Sequence, residues 1–459
     1  MEKYDGNAER FDRGGPHELA LTEFTRNERN RFAALAIRMP AHVASIYFSA
    51  ILDGLSSRYL NLHNNDNPEE EKQIAAISSE TFFGVIDRLH ELPNRPCGSA
   101  IVACIQRLSD RQLSARIIEI AFYYACYDPD PSADIWQDKV DRKGFHGGDP
   151  YAHGINCVRG QAAGALVTLL YDDHGRLDQL RPALVALSQD PIIAVRTCAL
   201  KAFTPLLNFD RDFAVELFLK TCDQCEAICA TYPFNDFIHY AIHTHYPQLR
   251  ELLQFALQSG SAVAVENAAR QIVLAELQDV LVGADTAEIH MGSEPMRKAA
   301  TDVYGINLSH PAVGNICAAR LEMFFADESD AVRLEVASAF SKLLGDRLLE
   351  LKDFIARFVE SPCFQDEASS LLHALKASNA ELPLVICRAA ERIIEFWNAP
   401  STQAAHHGGM TSYDISTLVV RQYEQTTDDV VKSRCLALID QMERAGNFSV
   451  SDELAKIDR

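Results

Sequence analysis

The sequence predicts an all-α chain organised as an α-solenoid, a stack of helical hairpins. Three observations predict it. The stretch DPIIAVRTCALKAF at 190–203 has a near-copy, DESDAVRLEVASAF, at 327–340. Its Val-Arg and Ala-Phe pairs recur elsewhere as related pairs at the same separation. No strand-like alternation persists anywhere in the 459 residues, whereas apolar residues recur at helical spacing.

Along the chain, residues 1–31 are charged and weakly periodic, which predicts a polar N-terminal segment, disordered or capping the stack. FAALAIRMPAHVASIYFSAILDGLSSRYL (32–60) reads as helices broken at Pro40. NLHNNDNPEEEK (61–72) reads as a loop and a helix start, with Asn67 capping and Pro68 entering. Helices follow through 73–127, with a break near Pro93 and Pro96. Residues 128–153, DPDPSADIWQDKVDRKGFHGGDPYAH, form a long acidic loop closing an N-terminal helical region at 32–153. From 154 to 459 the repeats take over, with an irregular insertion at 398–412 that carries the paired His406 and His407.

The opening stretch shows how one repeat helix is specified. Asp190 suits an N-cap and Pro191 the first helical position, where a missing N–H costs nothing. Val195, Ala199, Ala202 and Phe203 then form one apolar face with Arg196 beside it. Val158-Arg159, Met296-Arg297 and Val332-Arg333 anchor equivalent helices. Fainter echoes begin at Val265 and Val431. Successive anchors lie 37, 70, 31, 36 and 99 residues apart. A two-helix period of about 30 to 45 residues is a solenoid signature. LDQLRPALVALSQ (177–189) and AVGNICAARLEMFFA (312–326) supply the partner helices.

The Asp-Pro-x-x-x-Val-Arg-x-x-Ala pattern at 190–199 resembles HEAT repeats, an armadillo-like architecture. The resemblance implies a structural ladder between neighbouring repeats, carried by Asp190, Arg196, Asp327 and Arg333. Arg159 matches the Arg position without an Asp beside it, and Glu266 replaces the Arg in its repeat. A second resemblance rests on LVVRQYEQTTDDVVKSRCLALIDQMERAG (418–446) and GINCVRGQAAGAL (154–166). These look like the helical tails of large bacterial ATPases of the STAND/NACHT type, several of which act in anti-phage defence. The chain then resembles a sensor tail without its engine.

Charge and composition bound the function. Lys and Arg number 43 against 64 Asp and Glu, a net charge of −21. Nucleic-acid phosphates and anionic membranes are therefore disfavoured as partners. Twelve cysteines, mostly within apolar helical patterns, read as reduced thiols of a cytoplasmic protein. The polar start MEKYDGNAERFDRGG has no apolar core of a signal peptide.

Several stretches carry candidate chemistry. Trp136, Phe145, His146 and Tyr151 place aromatic rings on a polar loop, where they anchor a protein partner or tuck beneath the loop as a small cluster. Cys222 and Cys225, with His239 and His243 at helical i, i+4 spacing, offer a metal donor set. The competing reading puts Phe218, Cys222, Cys225 and Cys229 on one apolar face. DPDPSAD (128–134) resembles a calcium loop but has Ala133 and Lys139 where Gly and Glu are required. No phosphate-binding Gly-x-x-x-x-Gly-Lys-Ser/Thr motif and no Gly-x-Ser-x-Gly elbow occurs. The expectation is a non-catalytic scaffold or sensor without a cofactor, which binds a protein such as an NTPase or nuclease. The alternatives are a metal-dependent enzyme at 222–245 and, behind it, a nucleic-acid binder.

Overall fold

The computed structural model describes residues 16–56, 77–108, 113–132, 148–280, 284–343, 345–378, 380–398, 409–445 and 450–457. Among them every regular element is helical and no strand occurs. The all-α expectation therefore holds. No helix among these residues is long and apolar enough to cross a membrane. The chain divides into two compact units, Met1–Ala264 and Val265–Arg459.

In the first unit, helices close in sequence pack on one another. Pro16–Asn27 lies on Ser45–Ser56, where Leu21 and Thr25 turn inward and the Thr22 hydroxyl donates to the Ala50 carbonyl. From Pro16 onward the N-terminal residues are thus helical and packed rather than disordered. Two buried positions a helical turn apart dock this short helix, while Leu19 and Phe24 stay exposed on its other faces. The Val158–Asp172 helix packs on Gly98–Gln106, Ala115–Cys126 and Ile193–Phe203. That packing joins residues on both sides of position 153–154 within the first unit.

The anchor residues are core. Val195, Ala199, Ala202 and Phe203 are fully buried, as is Val332. Helix Ile193–Phe203 begins later than Asp190 and Pro191 suggest, because Asp190 folds the preceding turn by accepting from the Ile192 N–H at 2.8 Å. The described end of the 128–153 loop is also more ordered than expected: Asp149 caps a short helix, Pro150–Gly154. Likewise residues 409–412 of the expected 398–412 insertion open the helix Gly409–Gln425. The proposed cap at Asn67 and Pro68 lies outside the described residues.

Two glycines explain why GINCVRG has so little side chain. A Cβ on Gly154 would lie 2.3 Å from the Ala194 carbonyl oxygen, and one on Gly160 would lie 2.1 Å from that of Gly154. Backbone approaches backbone here, so neither helix can carry even a methyl group. Further along, Pro247 stands inside Tyr232–Leu257, which kinks at His245 (φ −126°, ψ 22°). Proline removes an N–H and crowds the preceding turn.

The second unit is built on the same local plan. Glu294–Asn307 packs on Gly314–Glu322 and Asp330–Ser338, and Pro383–Asn398 packs on Gly409–Gln425 and Asp429–Ala445. Stacked phenylalanines fill its middle, with Phe340 and Phe358 rings 3.9 Å apart. A buried polar chain crosses this apolar interior. His290 Nε2 and the Tyr304 hydroxyl are 2.8 Å apart, Tyr304 donates to Glu276 at 2.7 Å, and Arg320 pairs with Glu276 at 2.6 Å.

These contacts give two expectations. Gly160→Ala should force the two backbones apart and lower stability by about 1–3 kcal/mol, the usual cost of overpacking, measurable by chemical denaturation. His290 has its pKa lowered, by burial first and by Arg320 second. The unfolded imidazole, near pKa 6.5, then binds protons more readily than the folded one. Stability should therefore fall as pH drops below about 6.5. His290→Gln should shrink the melting difference between neutral and mildly acidic buffer.

Candidate partner-binding face

The sequence-predicted ladder residues are joined across neighbouring anchor segments. Arg159 forks Asp190, Nε to Oδ2 at 2.9 Å and Nη2 to Oδ1 at 3.3 Å, while Nη1 donates to the Asp128 carbonyl at 2.7 Å. The two side chains are only 10% and 8% exposed. Arg297 forks Asp327 in the same way, at 2.7 and 3.1 Å. Arg333 reaches Asp366 and Asp330 and donates to the Asp327 carbonyl at 2.6 Å. Among the expected ladder residues, Asp190, Asp327 and Arg333 make such contacts between neighbouring segments. Each carboxylate answers the arginine of the preceding segment, and Arg159 acquires the Asp it lacks locally. Arg196 meets the Thr221 carbonyl at 3.3 Å instead.

Arg297, named from sequence as an anchor but not as a ladder residue, and Asp366, not singled out at all, complete these rungs. A second set also escaped it: Lys201 with Asp236 at 2.7 Å, Arg270 with Asp302 at 3.0 Å and Lys376 with Asp414 at 2.6 Å. Lys201 and Asp302 each stand six residues beyond their anchors, Val195 and Met296, so extending the repeat alignment to that position finds them.

The Lys201–Asp236 pair sits within a set of tyrosines from three helices of the first unit. Tyr171, Tyr232 and Tyr240 are 60%, 61% and 50% exposed, and Tyr151 is half-buried. Lys201 Nζ lies 5.2 Å from the Tyr232 ring centre, and the Tyr232 hydroxyl donates to Asp236 at 3.5 Å. Arg211 holds the Tyr240 turn by donating to its carbonyl and to the Thr244 hydroxyl, both at 2.9 Å. Burial pushes the Lys201 ammonium down, but the Asp236 hydrogen bond and charge, aided by Tyr232 and Tyr151, leave it above the ordinary lysine value. Tyr171 is raised by burial first, with Asp236 and Tyr240 adding and Lys201 opposing. Tyr151 is raised too, by burial first, so these two phenols stay protonated at neutral pH and present rings and hydroxyls rather than charge. Rigid, amphipathic rings of this kind favour protein contact.

Tyr151 thus joins this face. Trp136, Phe145 and His146, the other aromatic candidates, lie outside the described residues, as do His406 and His407. The start of their loop is clipped down: Asp128 accepts from the Asp130 N–H at 2.9 Å, and Asp130 accepts from the Val158 N–H at 2.8 Å. Those carboxylates serve backbone donors rather than a calcium ion. Asp128 has its pKa raised, chiefly by burial.

The Cys/His set does not assemble. Cys222, Cys225 and Cys229 are buried, whereas His239 and His243 are exposed on the helix Tyr232–Leu257. Burial pushes the Cys229 thiol up to about 12, which opposes the thiolate a metal requires. The buried imidazole here is His245, which meets Asp212 and the Thr244 hydroxyl, each at 2.8 Å. Among the described residues no three His, Cys, Asp or Glu side chains are grouped to hold a metal ion.

No protein-family model matches the chain, and no curated protein sequence does.

The Arg159–Asp190 rung yields a stability test. Asp190→Asn keeps the turn acceptor but strands a buried guanidinium, so it should cost about 3 kcal/mol in denaturant unfolding. Arg31→Ala, which breaks an exposed pair with Glu28, should cost less than about 1 kcal/mol.

Proposed function

We propose that this chain is a non-catalytic, HEAT-like α-solenoid scaffold that recruits a protein partner through the tyrosine face of its first unit. The observation that carries the reading is the grouping of Tyr171, Tyr232 and Tyr240, half or more exposed, around the Lys201–Asp236 pair. Each ring is held on a helix whose opposite face is core, so ordering costs on binding are small. The repeat reading is supported by the spacing of the rungs: Arg159 to Asp190, Arg297 to Asp327 and Arg333 to Asp366 span 31, 30 and 33 residues. A similar recurring distance between packed helices is what stacked hairpins require.

The setting we propose is a cytoplasmic sensor or regulatory role beside a bacterial NTPase of anti-phage defence, with the NTPase or an associated nuclease as partner. The C-terminal resemblance at 418–446 supports that setting, and the absence of a phosphate-loop motif assigns nucleotide chemistry to the partner. The net charge of −21 favours protein over nucleic acid as the thing bound.

The test compares affinity purification of the tagged chain from its native cells with that of Tyr232→Ala/Tyr240→Ala. Aromatic anchors are worth about 2 kcal/mol or more each, so the double variant should weaken capture of the genuine partner by well over tenfold. Its melting should stay unchanged, because both rings are exposed. Identical co-purifying proteins from both forms would overturn the assignment of the face. A stoichiometric metal on bare protein would overturn the non-catalytic reading.

A further inference from the structure

Among the buried thiols, two meet each other. Cys387, on the helix Pro383–Asn398, and Cys435, on Asp429–Ala445, place their sulfurs 3.8 Å apart. Both are fully buried, and the two helices pack together. Other buried thiols point elsewhere: Cys157 donates to the Gly154 carbonyl at 3.0 Å, and Cys363 to the Phe325 carbonyl at 3.4 Å. The same two helices are already tied beside the thiols by Arg434, whose Nε donates to Glu391 at 2.7 Å.

We propose that Cys387 and Cys435 are a reversible disulfide site, oxidised by hydrogen peroxide, that staples these two helices of the second unit together. An S–S bond is about 2.05 Å, so the sulfurs must close by somewhat under 2 Å. Side-chain rotation with a small helix shift supplies that. Either S–H can donate to the other sulfur, and the Arg434 guanidinium favours the thiolate form of both. Either thiolate can attack first, and the course is the same with Cys387 in that part.

Its thiolate attacks one peroxide oxygen. The O–O bond breaks, a sulfenic acid forms, and the departing hydroxide takes a proton to become water. The Cys435 sulfur then attacks the sulfenic sulfur. The S–O bond breaks, the S–S bond forms, and the second hydroxide leaves with the Cys435 proton as water. Two thiols and one peroxide give one disulfide and two waters, a two-electron oxidation of sulfur matched by reduction of the peroxide. Because both sulfurs are buried, peroxide enters through transient opening of the Asp429–Ala445 helix.

The experiment treats the purified full chain with hydrogen peroxide in native buffer, quenches it, alkylates free thiols under denaturing conditions and maps peptides by mass spectrometry. The expected result is a Cys387–Cys435 linked pair, reversed by dithiothreitol and absent in Cys435→Ala. The oxidised wild-type chain should also melt several degrees higher than the reduced one, because the cross-link restricts the unfolded chain. Recovery of both cysteines as free thiols would overturn the proposal. So would linkage of Cys435 to a different cysteine, or a cross-link that forms only in urea. The wild-type peptide map decides the matter even if Cys435→Ala does not fold.

Discussion

A guanidinium removed from water must be answered by a carboxylate of matching geometry, and much of this structure is arranged around that demand. Arg159, Arg297 and Arg333 stand at the starts of their helices with little exposure. None meets the demand within its own anchor segment alone. The answering carboxylate comes from a turn about one segment further along the chain, so each arginine fixes how far the next helix pair can move. Asp190 and Asp327 divide their labour. One carboxylate oxygen accepts from a backbone N–H two residues ahead, and both meet the guanidinium fork. A single side chain thereby sets the local turn and the packing between neighbouring helices, which is why an Asn-like cap alone would not substitute.

The same demand accounts for the small residues around Arg159. Its Nη1 must reach the Asp128 carbonyl while its backbone N–H meets the Asp130 carbonyl at 3.1 Å. That brings the start of the Val158–Asp172 helix tight against 128–130 and against Pro150–Gly154. Gly154 and Gly160 are the positions where side chains would block this approach. The segment GINCVRG is thus a packing solution around a buried charge.

The helical class and the buried anchors were legible because apolar periodicity reports directly on burial. Val195 and Val332 are fully buried, as their spacing implies. The ladder residues were legible, but not which arginine answers which carboxylate: that Arg159, one segment earlier, meets Asp190 is seen only in space. The metal reading met a related limit. Spacing puts His239 and His243 on one helical face, but it does not say that this face turns outward while Cys222 and Cys225 turn inward. Tyr232 and Tyr240 are hard to find for the opposite reason: an exposed tyrosine has the same helical spacing as a buried one, and only the Lys201–Asp236 pair beneath marks the face.

Charge then decides what such a face can attract. The cations named here are spent internally: Arg159, Arg297 and Arg333 on the rungs, Lys201, Arg270 and Lys376 on the second set, and Arg388 on Glu360 and its neighbours. The carboxylates outnumber them and stay in solvent, as Asp212, Glu328 and Asp330 do, each more than four-fifths exposed. A polyanion approaching this surface meets negative charge whose counter-cations are already neutralised by short pairs. The short pairs leave these named cations little charge from which phosphate could displace counterions. The aromatic face that we propose as the recognition surface carries chemistry of another kind: its rings gain most from a partner that covers them and excludes water from the ion pair beneath.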